Sequence, residues 1–102
     1  MVYRLIWSPS ARFDLREISA YIAEADPIAA AKFIRGVFNT VERLSRFPES
    51  GRIVPDFGDS NIREVIRRPC RIVYRIRHSS EVVEIIRVWH AARGVPELPW
   101  ND

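Results

Sequence analysis

The chain has 102 residues, 47% of them hydrophobic and 28% charged, with a formal net charge of +3 at pH 7. That length suits one domain, 1–102, with a single core, and the composition is that of an ordinary soluble globular protein. No stretch approaches the ~20 apolar residues of a membrane span, the N-terminal MVYRLIWSPSARFD lacks the apolar run of a secretory signal, and the single cysteine, Cys70, excludes an intrachain disulfide. The expected compartment is the cytoplasm.

Val2 to Trp7, a run of β-branched, aromatic and aliphatic residues, predicts a strand. Ser8-Pro9 then supplies an N-cap and a proline at the first helical position, where the missing N–H costs nothing. Ala11, Leu15, Ile18 and Ile22 follow at helical spacing. Asp26-Pro27 repeats the signal, and Ala30, Ile34, Val37, Val41 and Leu44 form the apolar face of a second helix, which Pro48 and Gly51 end. Helices joined by so short a link fold back as an αα-hairpin. Residues 48–61 carry the prolines, glycines and acids of a loop, and strands are expected at 62–67, 71–77 and 82–90. The order β-α-α-β-β-β packs most economically as an antiparallel sheet with the helical hairpin on one face, an α+β fold.

A tight turn pairing Arg77 with Val82 would divide the last two strands between faces. One face then carries Arg71, Val73, Arg75 and Arg77 opposite Val88, Ile86, Glu84 and Val82, with His90 beyond Arg71. The other carries Ile72, Tyr74 and Ile76 opposite Arg87, Ile85 and Val83, with Trp89 next along, and should meet the helices. On the first face Arg75 would pair with Glu84, Arg71 would have no partner, and an apolar strip of Val73, Ile86 and Val88 would need a cover. Either the C-terminal tail or a partner protein could supply it.

Charge is unevenly spread. Residues 62–93 hold eight arginines against three acids, whereas residues 1–61 balance at eight of each sign. Such a basic, strand-borne surface points to a polyanion or an acidic protein as partner. Two histidines and one cysteine offer no spaced ligand set, so neither a metal nor a cofactor is expected.

The chain resembles the ParE/RelE superfamily of bacterial type II toxins. The resemblance is carried by YRLIWSPSA at 3–11, DLREISAYIAE at 14–24, FPESGR at 47–52, IRE at 62–64, CRIVYRI at 70–76 and RVWHAAR at 87–93. It implies a toxin neutralised by a cognate antitoxin, ParD-like and of the ribbon-helix-helix type. One branch of the superfamily poisons DNA gyrase; the other cuts mRNA on the ribosome. In the nuclease reading Arg71 matches a catalytic arginine, Arg63 falls near a second, and His90 matches the histidine ending the last strand. The following position, often tyrosine in nucleases, is Ala91. The long helical hairpin and the His90-x-x-Arg93 ending look closer to the ParE branch, with gyrase as the implied target. In that reading Arg71, Val73, Arg75, Ile86, Val88, Arg93 and Trp100 are the candidate partner-binding residues.

Overall fold

The helical layer is set by two caps. The Ser8 Oγ accepts from the Ala11 N–H at 3.0 Å, opening α1 (Pro9–Ala25). Asp26 ends α1 by donating its N–H to the Ile22 carbonyl at 2.9 Å, and its Oδ1 accepts from Ile28 and Ala29 at 3.0 and 3.1 Å to open α2 (Pro27–Leu44). One residue therefore serves both helices, and the chain reverses without a linker.

The computed structural model describes residues 2–100. Its strands are β1 (Arg4–Trp7), β2 (Arg52–Ile53), β3 (Ile62–Arg67), β4 (Cys70–Arg77) and β5 (Val82–His90), in the spatial order β1-β5-β4-β3-β2. The sheet is mixed rather than wholly antiparallel, because β1 joins β5 in parallel. The short β2 lies within the stretch expected to be loop; Gly51 precedes it where a Cβ would stand 2.7 Å from the Glu64 carbonyl oxygen. Among the described residues no helix is long and apolar enough to cross a membrane.

Apolar side chains gather on both faces of this sheet. On the helix side, Ala11, Phe33, Val37, Val41 and Leu44 bury against Cys70, Ile72, Tyr74, Ile76, Val83, Ile85 and Val88. The reverse face holds a smaller cluster of Val54, Ile62, Val73, Ile86 and Leu98, with Phe57 against it. Leu98 belongs to the C-terminal tail, which is one of the two covers expected for the apolar strip.

A register shift between Val73 and Tyr74 redistributes the rest of the hairpin. Up to Tyr74 the pairing follows the expected one, with Arg77↔Val82 and Arg75↔Glu84. Ile86 then enters as an extra residue, so Val73 pairs with Arg87, Ile72 with Val88, Arg71 with Trp89 and Cys70 with His90. A bulge of one residue reverses the facing of everything beyond it. Val88 accordingly joins the helix-side core at 1% exposure, while Arg87 and Trp89 share the parity of Arg71 and Val73. His90 takes the parity of Cys70.

Candidate functional site

The tail-side face is organised around a buried acid. In β3, Ile62, Glu64 and Ile66 share one parity, and Glu64 is 2% exposed. Its two oxygens accept from Arg71 Nε and Arg52 Nε, each at 2.6 Å. Burial alone would push this carboxyl up; the hydrogen bonds and charges of Arg71 and Arg52 reverse that and hold it below the usual carboxylate range. Arg71, expected without a partner, is thus committed twice over, since its Nη1 also donates to the Gly94 carbonyl at 2.8 Å. Strand alternation could have revealed Glu64, as the one acid on an apolar parity of β3.

The tail is clasped by further arginines. Arg87 Nη1 donates to the Glu97 carbonyl at 3.0 Å, and the Arg75 guanidinium lies 4.3 Å from the ring centre of Trp100. Arg75 also reaches Glu84 at 3.3 Å, the cross-strand pair expected from the turn, and Arg77 shares that carboxylate at 3.2 Å. Arg93 covers Trp89 at 3.8 Å, with Arg87 4.7 Å from the same ring. Trp89, expected against the helices, is instead buried among guanidinium groups.

Beside β5 the short β1 ends early, and α1 takes over the bare strand edge. Ser8 Oγ donates to the Ile86 carbonyl at 3.0 Å, and the Asp14 carboxylate accepts from the Val88 N–H at 3.1 Å. Asp14 also holds Arg87 through two bonds of 2.7 Å. These contacts answer the backbone groups that a longer β1 would have paired.

The three residues named for RNA cleavage are not brought together. Arg63 lies on the helix-side parity, in register with Tyr74, and donates to the carbonyls of Ser60, Glu49 and Gly51 at 3.0–3.1 Å. Arg71 is on the opposite parity. His90 stands exposed at the sheet end, and its Nδ1 accepts from the Ala92 N–H at 3.1 Å. Among the candidate partner contacts, Val73, Ile86 and Val88 are fully buried, whereas Arg93 is exposed and Trp100 is 43% exposed. Among the described residues no group of three or more His, Cys, Asp or Glu side chains could hold a metal ion.

An accessible apolar recess lies elsewhere. Trp7 of β1 meets Phe38 of α2 at a ring separation of 5.5 Å, and with Leu15 and Ile34 they line an open cleft of about 450 Å³. Arg12 and Arg16 form its charged wall, and among the described residues neither enters a salt bridge.

The family model described as "ParE toxin of type II toxin-antitoxin system, parDE" matches residues 5–95. Y4kP of Sinorhizobium fredii, whose name describes a toxin, is 38% identical over 93% of this chain and 95% of its own length. Toxin RelE2 of Caulobacter vibrioides is 29% identical, covering 88% of this chain and 97% of that one. Among solved structures, a chain of the chromosomal ParDE system from P. aeruginosa superposes with a TM-score of 0.70 at 22% identity, over 87% of this chain and 96% of that chain. A chain of the RelBE2 toxin–antitoxin complex from Mycobacterium tuberculosis gives 0.62 at 25%, over 88% and 99%.

Proposed function

This chain belongs to the ParE toxin family of type II toxin–antitoxin systems, and we propose that it arrests growth by binding DNA gyrase rather than by cutting RNA. The observation that carries this reading is the dispersal of Arg71, Arg63 and His90. Cleavage by 2′-OH attack requires a base, cations for the phosphorane charge and an acid for the leaving oxygen, all converging on one phosphate. Here the Arg71 guanidinium is held by Glu64 and a tail carbonyl, Arg63 faces the other side of the sheet, and His90 is turned back on its own chain. Ala91 offers no ring to stack a base. Gyrase as the target is what the resemblance to the ParE branch implies.

A cognate antitoxin of the ribbon-helix-helix type neutralises the protein in this reading. The Trp7–Phe38 cleft supports that part, since an amphipathic segment with acidic and aliphatic residues would fill it and meet Arg12 and Arg16. Similar solved chains come from a ParDE system and a RelBE2 complex.

Purified protein incubated with gyrase and plasmid should block supercoiling or trap cleaved DNA. His90→Ala should retain full toxicity. New 5′ ends in translated mRNA, lost in His90→Ala, would reverse the assignment to the nuclease reading.

A further inference from the structure

A second cleft, of about 480 Å³, lies between the C-terminal half of α2 and β3. Its volume is that of a small-molecule site. Leu44 and Val65 give it apolar walls, Thr40 and Arg43 polar ones, and no acid lines it. Phe47, just past the end of α2, adds an aromatic ring that is 62% exposed.

Beyond Thr40 stands an arginine held without an acid. Arg67 shares the helix-side parity of Val65, and its guanidinium lies on Gly36, one turn before Thr40. A Cβ at Gly36 would run into Nε and Nη2 of that group, so a glycine in mid-helix is what seats it. The Arg67 Nε is buried and meets no acceptor. Among the described residues Lys32, Arg43 and Arg67 enter no salt bridge. A cation partly withdrawn from water and left unanswered is costly, and a bound anion relieves the cost. Lys32, Gly36, Thr40 and Arg43 follow one another at helical spacing along one face of α2, whereas Glu42, the one acid of that helix, falls on another.

We propose that this cleft binds a nucleoside polyphosphate, its base stacked on Phe47 and its phosphates held by Arg43 and Arg67. Gly36 and Arg43 stand about 10 Å apart along the helix. The Arg43 side chain leans back toward the N-terminus, into that interval. Two guanidinium groups so spaced suit a chain of phosphates better than a single carboxylate. The Thr40 hydroxyl donates to the Gly36 carbonyl at 2.9 Å, which leaves its oxygen as an acceptor for a ribose hydroxyl. An exposed aromatic face beside arginines is the surface on which bases stack. The site does not depend on gyrase being the target.

The test titrates the isotope-labelled full chain with ATP, adenosine, inorganic tripolyphosphate and a single-stranded octanucleotide. ATP should give saturable NMR shifts at Thr40, Phe47 and Val65 and at the Arg67 Nε–H. Tripolyphosphate should bind about tenfold more weakly, and adenosine should not bind measurably. Arg43→Ala, on the exposed face of α2, should weaken ATP by about tenfold. Gly36→Ala keeps every charge and unseats only the Arg67 guanidinium, and should weaken ATP to a similar extent. Phe47→Ala should bring ATP down to the level of tripolyphosphate. Five outcomes overturn the proposal: no saturable shift, adenosine or tripolyphosphate binding as tightly as ATP, an octanucleotide binding more tightly, shifts confined to Trp7, Leu15 and Phe38, or undiminished binding in both Arg43→Ala and Gly36→Ala.

Discussion

The two faces of the sheet are covered by different physics. The helix side is closed by two long amphipathic helices whose apolar residues interlock with one face of β4 and β5. The tail side is closed by a small apolar cluster together with Arg52, Arg71, Arg75 and Arg87, which hold Glu64, Glu84, tail carbonyls and Trp100. The contrast bears on how a basic segment is interpreted. Much of the positive charge at 62–93 fastens the protein to itself. Of the arginines in that segment that enter no salt bridge among the described residues, Arg67 packs against Gly36 of α2, Arg93 covers Trp89, and Arg68 is exposed between β3 and β4.

The comparison can be broken or sharpened by substitution. Leu44→Ala, in the helix-side core, should cost about 4 kcal/mol in urea unfolding. Asp14→Ala removes the partner of Arg87 and an acceptor for the Val88 N–H, and should cost about 3 kcal/mol. Leu98→Ala should cost about 2 kcal/mol, because a tail can settle partly into the space left. A loss as large as that of Leu44→Ala would mean that the tail is as integral as the helices. The smallest effect at neutral pH is expected of Glu64→Gln, and its signature is in acid. Folded Glu64 titrates below its unfolded value near 4.5, so its contribution is complete above that value and disappears as pH falls through the lower folded one. Wild type should therefore lose stability below about pH 4.5 more steeply than Glu64→Gln, as read by urea midpoints across the acid range. Parallel acid limbs would mean that the tail-side ion network is not what acid undoes.

Local signals were readable where the chemistry was local. Ser8-Pro9 and Asp26-Pro27 announced both helix starts, and the turn at 78–81 announced the Arg77↔Val82 register and the Arg75–Glu84 pair. The bulge was not readable, because Ile86 sits in an uninterrupted run of strand-forming residues with no glycine to mark it. That single residue misplaced Arg87, Val88, Trp89 and His90, and it made a constellation of Arg71 and His90 look plausible. Glu64 was legible from alternation as an acid on an apolar parity, but its ion network was not: its partners, Arg52 and Arg71, come from different strands, and only the pairing of β3 with both neighbours brings them together. The candidate partner surface moved with these corrections, from the centre of a face to its margins.

The parallel pairing of β1 with β5 has a consequence in time. Residues 4–7 hydrogen-bond alongside residues 82–85, so on the ribosome β1 waits for β5. The helical hairpin, whose contacts are local, can form while synthesis continues, but β1 cannot join the sheet until residues 82–85 have emerged. Until then Trp7 has no sheet to rest on, and the cleft it forms with Phe38 is incomplete. A cell making this protein meets the Trp7–Phe38 cleft only after β5 has been made.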